Sequence, residues 1–82
     1  MQHLTVTQEE LNQAAELIIS YKMASVSLLQ RRLDIGYSKA AEMMEGLEQA
    51  EIVGPFEGKK IRSLLVTSLK DAKVLIKNLL IK

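Results

Sequence analysis

Apolar residues recur along this chain in four helical stripes, broken by short polar or glycine-containing segments. Thr7-Gln8-Glu9-Glu10 has the form of a capping box, in which a threonine hydroxyl and a glutamate three residues on satisfy each other's backbone N–H groups. Leu11, Ala14, Ala15 and Ile18 follow at helical spacing, Ile19 widens the stripe, and the helix is expected to end near Lys22. Met23, Ala24 and Ser25 suit a very short strand. Ser27-Leu28-Leu29-Gln30 reads as a second capping box, Leu29 and Leu33 supply a short stripe, and Gly36 is a natural stop. Ser38 stands where a third helix would take its N-cap. Two helices separated by a turn from Asp34 to Tyr37 have the sequence form of a helix-turn-helix. The third helix turns Ala40, Ala41, Met44 and Leu47 inward and Ser38, Glu42, Glu45 and Gln49 outward. Gly46 is expected to weaken its interior by up to about 1 kcal/mol relative to alanine.

After this helix the period changes. Ile52 and Val53 begin a strand, Gly54-Pro55 breaks it, and Phe56 to Lys60 reads as a loop in which Gly58 is free to take a positive φ. Ile61 to Thr67 is a second strand, so the two strands and their loop form a wing. Ser68, with Asp71 three residues on, caps a fourth helix whose broad apolar face is Leu69, Ala72, Leu75, Ile76, Leu79 and Leu80, flanked by Lys70, Lys73 and Lys77. The predicted order is α-β-α-α-β-β-α. This is a mainly helical α+β fold, a winged helix-turn-helix with an added C-terminal helix. Residues 1–82 form a single domain: a tail at 1–6, a winged core at 7–67 and an amphipathic helix at 68–82. The apolar face of that last helix has to be covered, either by its own domain or by a partner. Leu75, Ile76, Leu79 and Leu80 are the candidate interface of a homodimer or of a complex with another protein. A membrane is the disfavoured cover, because no bulky aromatic accompanies the lysines.

Composition narrows the function. A chain of 82 residues with 48% apolar and 26% charged residues is one globular domain. No apolar run approaches the roughly 20 residues that span a bilayer, and the N-terminus has no basic-then-apolar leader, so a cytoplasmic location is expected. The absence of cysteine excludes disulfides, thiolate metal sites and thiol catalysis. The single histidine, His3, reads as an exposed terminal residue, and metal sites need several converging ligands. No metal, cofactor, small-molecule substrate or enzymatic activity is therefore expected. Met43 and Met44 read as packing residues, and the Tyr37 ring as packed against the core edge in preference to stacking on a base. Net charge is only +1, but it is unevenly spread: −2 over residues 1–22, +1 over 23–37, −3 over 38–51, +2 over 52–67 and +3 over 68–82.

Ala24 to Arg32 (ASVSLLQRR), Ile35 to Ala41 (IGYSKAA) and Leu47 to Gly58 (LEQAEIVGPFEG), with Arg62 and Leu65-Val66, resemble the gamma domain of FtsK/SpoIIIE-type DNA translocases over roughly residues 8–67. The resemblance implies a winged helix without activity of its own that binds duplex DNA and recognises short oriented sequences. The family's ATPase motor lies in a separate domain, and no phosphate loop ending in GK[ST] occurs here. The family's base-reading positions fall on Ser38, Glu42 and Glu45. The family usually has Asn or Thr in place of Ser38, Arg in place of Glu42 and Glu at Glu45, while Lys39 matches its usual basic residue. An arginine donates twice to a guanine edge; Glu42 can only accept, for instance from cytosine N4. The family's target sequence is therefore not expected to carry over.

Ser38, Lys39, Glu42 and Glu45 are accordingly the candidate recognition-helix residues. Arg31 and Arg32 lie on the first helix of the motif, which crosses the DNA backbone in such proteins. They point about 100° apart, and one can instead meet Asp34. Lys59, Lys60 and Arg62 make the wing basic. Four phosphate contacts from this set would give a salt slope of about −3.6. Two functions are expected to compete: a DNA-binding module, and a winged-helix module for protein interaction or dimerisation with little DNA binding.

Overall fold

A computed structural model describes residues 6–80, and side chains as far as Leu79. The expectations for His3 and for the side chain of Leu80 lie outside these residues. The elements are α1 (Gln8–Tyr21), β1 (Ala24–Ser25), α2 (Val26–Leu33), α3 (Tyr37–Gln49), β2 (Ile61–Arg62) and α4 (Leu69–Leu80). This is the expected mainly helical α+β fold of winged-helix type.

α1 starts as its sequence dictates. Glu10 N–H donates to Thr7 Oγ1 at 3.1 Å, and Thr7 N–H donates to Glu10 Oε1 at 2.9 Å. Val6 before the cap and Leu11 in the next turn occupy hydrophobic-staple positions, and both are buried. α2 departs from expectation: its cap is Ser25, not Ser27. The chain is still extended through Ser25, whose Oγ accepts from Leu28 N–H at 3.3 Å, and Ser27 is left exposed in the first turn. α3 likewise starts two residues early. Gly36 is its N-cap, without a side-chain bond, and Ser38 lies exposed inside the first turn. Gly36 therefore opens α3 and does not stop α2.

The helix stops were set by a different signal. Lys22, Asp34 and Glu51 adopt left-handed φ values of 53°, 55° and 63°. Each is followed by an apolar residue whose N–H reaches back five positions: Met23 to Ile18 O (2.9 Å), Ile35 to Gln30 O (3.2 Å) and Ile52 to Leu47 O (2.9 Å). These are Schellman-type exits, which satisfy the last carbonyls and tuck an apolar residue under the helix end.

The core joins all four helices through Leu11, Ile18, Leu29, Met44, Leu47 and Ile76, each at most 1% exposed. Met43 and Met44 are both buried within it, as expected. Ala41, expected inward, is only partly buried, and Met43 takes the deeper place. α1 packs on α2, α3 and α4. Gly46 is buried at its crossing with α3: a Cβ there would stand 2.8 Å from Leu11 Cδ2. The glycine thus permits close helix packing, a gain set against its helix-propensity cost.

The wing is more irregular than expected. β1 pairs antiparallel with β2, Ala24 opposite Arg62 and Ser25 opposite Ile61. The strand expected at Ile52–Val53 is a single bridge, Val53 to Leu64, flanked by Gly54 N–H to Ser63 O and Leu65 N–H to Ile52 O, both 2.8 Å. Pro55 has no N–H to extend the ladder. The pleat nevertheless persists along 61–67: Arg62, Leu64 and Val66 are partly buried, while Ile61, Ser63, Leu65 and Thr67 are exposed. Gly58 takes φ 81°, as its place in the loop requires.

α4 begins with Ser68 Oγ accepting from Asp71 N–H at 3.4 Å. Ala72 and Ile76 are wholly buried, Leu69, Leu75 and Leu79 pack partly against the same core, and the helix rests on α1. Among the described residues the apolar face thus packs on its own domain, with Leu69, Leu75 and Leu79 keeping part of their surface exposed. Ile76, a candidate dimer contact, has no surface left to offer a second copy.

Candidate nucleic-acid interface

The order of capping events decides what α3 presents. Because the helix opens at Gly36, Tyr37 and Ser38 occupy its first turn and both point to solvent. Glu45 is exposed two turns further on. Glu42 is half-buried and already engaged in a contact within the protein, as is Gln49. The outward surface of α3 is thus centred on Ser38 and Glu45.

The expected cations divide into two groups. Lys39 Nζ is 3.1 Å from Glu10 Oε1, an ion pair that ties the start of α3 to the start of α1. The Thr7 backbone N–H, and after it Lys39, hold the Glu10 carboxyl below its ordinary pKa. Arg62 Nη1 is 2.6 Å from Glu48 Oε1 and 3.5 Å from Gly54 O, which ties the wing to the C-terminal half of α3. Its side chain is only 18% exposed, so it is a brace of the wing more than a surface cation. Arg32 is exposed but sits over the Tyr21 ring, with its Cζ 4.9 Å from the ring centroid. Arg31, Lys59 and Lys60 are exposed and make no ion pair with a described residue. Of the cations expected to meet DNA, these three are the ones open to an external anion.

The wing and the two helices of the motif enclose a cleft of about 300 Å³. Ser27 and Gln30 of α2, Tyr37 of α3, and Phe56, Lys59 and Lys60 of the wing all line it. Sequence reasoning expected the Tyr37 ring at the core edge, but it is 66% exposed, as is Phe56. The missed signal was positional. Phe56 follows Gly54-Pro55 in a loop without any periodicity to bury it, and Tyr37 precedes the first inward position of α3. The ion-pair partners Glu10 and Glu48 were also missed, since residues 14 or more positions apart in sequence carry no local mark of their pairing.

No helix among the described residues is long and apolar enough to cross a membrane. No cluster of three or more metal-ligating side chains occurs among them.

A family model described as the FtsK gamma domain matches residues 6–67, which end before α4. The chain is similar to DNA translocase SpoIIIE of Bacillus subtilis (strain 168), 46% identical over 68 residues, covering 83% of this chain and 9% of that protein. It is 45% identical over 67 residues to DNA translocase FtsK of Chlorobaculum tepidum, covering 82% of this chain and 8% of the relative. Against DNA translocase FtsK of Streptomyces avermitilis it is 50% identical over 54 residues, 66% of this chain and 6% of the relative. The chain thus spans less than a tenth of the length of these relatives.

Proposed function

We propose, since this chain belongs to the family of FtsK gamma domains, that it is a non-catalytic domain that binds duplex DNA and reads short oriented sequences through α3. The observation that carries this reading is that Arg31, Lys59 and Lys60 are exposed and make no ion pair with a described residue, the two wing lysines lining one cleft with Tyr37 at the start of α3. In this reading α3 enters the major groove, where Ser38 and Glu45 meet base edges. Arg31 on α2 and the two wing lysines hold the phosphates on either side. Phosphate contacts set register and supply affinity, while base contacts supply sequence. The acidic surface of α3 repels phosphate, so affinity depends more on the wing than in a domain with a basic recognition helix. Glu42 stands where the family usually carries arginine, so the double donation to a guanine edge is not available at that position.

Fluorescence anisotropy of a duplex of about 30 base pairs, titrated between about 50 and 200 mM salt, tests the reading. Three phosphate contacts predict a slope of log affinity against log salt of about −2.7, a loss of roughly 40-fold across that range. Lys59→Ala with Lys60→Ala lowers the slope by about 1.8. A slope near zero, or no binding at the lower salt, overturns the proposal.

A further inference from the structure

The cleft between wing and helices has a composition that duplex recognition does not explain. Ala41 and Met44 contribute an apolar lining, Tyr37 and Phe56 leave two-thirds of their surface in water, and Lys59 and Lys60 add positive charge. Aromatic side chains normally bury 150–250 Å² each in cores and interfaces. Two of them left open at one small cleft mark a binding surface. Its volume, about 300 Å³, admits a single planar group and not a peptide helix.

An intact duplex cannot fill such a site. It shows base edges in its grooves and phosphates along its ridges, while the base faces are stacked on one another. The phosphates suit the lysines but gain nothing from the rings. An unpaired nucleotide satisfies both in one unit, with a flat face for the aromatics and an attached phosphate for the cations. Resting on the DNA-binding reading above, we infer that the cleft takes one unpaired nucleotide of a locally opened strand. Its base lies against Tyr37 and Phe56, with its phosphate beside Lys59 and Lys60. The domain then binds most tightly where a duplex is open, a property separate from sequence reading by α3.

Three probes of equal length test this by anisotropy: a perfect duplex, the same duplex with a central bubble of unpaired bases, and the same bubble with its bases removed to leave abasic sugars. Base–aromatic stacking of about 1–3 kcal/mol per base corresponds to roughly 5- to 150-fold. We expect the bubble to bind about tenfold more tightly than the duplex. The abasic bubble, equally flexible and equally charged, returns to duplex affinity. Tyr37→Ala with Phe56→Ala abolishes the preference and leaves duplex affinity within about twofold. Both side chains are exposed, and an unchanged circular-dichroism melt verifies the fold. Equal binding of bubble and duplex by the unaltered protein overturns the inference and leaves the DNA reading standing. So does a preference that survives the double substitution or persists in the abasic bubble. Failure to bind any of the three overturns both.

Discussion

α4 and the wing are built from similar residues and dispose of them in opposite ways. Each carries lysines and large apolar side chains. In α4 the apolar groups recur at helical spacing, so one rotation buries Ala72 and Ile76 against α1 and leaves Lys70, Lys73 and Lys77 outside. In the wing tip no period exists: residues 55–61 are all exposed, with Phe56 among them. The difference teaches where stability and recognition reside. The α1–α4 side holds the domain together, and the wing leaves its apolar surface open to solvent.

The largest expected effect separates the two regions outright. Ile76→Asp places a carboxylate in a wholly buried site and is expected to cost about 4 kcal/mol or more, enough to unfold much of a domain this small. Phe56→Asp is expected to change stability by no more than about 0.5 kcal/mol. Urea melts of both variants measure the contrast, and similar midpoints would erase it.

Gly46→Ala comes next. Its helix-propensity gain of about 1 kcal/mol opposes an overpacking cost of about 1–3 kcal/mol against Leu11, so a net loss of about 1 kcal/mol is expected. Shortening the obstructing side chain in Leu11→Val with Gly46→Ala should recover part of it. A stabilised Gly46→Ala variant would show that the α1–α3 crossing relaxes freely.

Arg62 sharpens the comparison within the wing. A double-mutant cycle of Arg62→Ala and Glu48→Ala is expected to give a coupling energy of about 1 kcal/mol, because the pair is only partly buried. If Arg62 braces the wing, Arg62→Ala weakens DNA binding without changing the salt slope, whereas Lys59→Ala lowers the slope by about 0.9. A slope that falls equally in both would return Arg62 to the set of phosphate contacts.

The smallest effect lies at the junction of α1 and α3. The carboxyl of Glu10 is held below its ordinary pKa by the Thr7 backbone N–H and by Lys39. A depressed folded-state pKa means that its contribution is complete above the unfolded value, about 4.3, and is lost as the pH falls through the lowered one. Denaturation midpoints of the native chain and of Glu10→Gln should therefore converge as the solution is acidified from about pH 6 to pH 3. A constant gap across that window would remove Glu10 from the acid response.

Much of the fold was legible because its signals are local. The Thr7 capping box, the helix stripes, the positive φ at Gly58 and the inward Ala72 and Ile76 depend on residues within a few positions of each other. The misplaced caps show the limit of such signals. Ser27 and Ser38 have the right chemistry for N-caps, but the extended chain at Ser25 and Gly36 moved the starts of α2 and α3 toward the N-terminus. The three helix exits followed a polar residue and then an apolar one, a weaker mark than glycine.

The candidate site divides along the same line. The sequence by itself determined the four helices, the helix-turn-helix spacing, the family resemblance and the supply of cations, since period, capping chemistry and composition are properties of neighbouring residues. Tertiary structure alone decided that Lys39 pairs with Glu10 and Arg62 with Glu48, and that Arg31, Lys59 and Lys60 stay open. It also brought Tyr37 and Phe56 to one cleft. Pairing and shared exposure depend on distances between segments far apart in the chain, and those distances exist only once the core has closed.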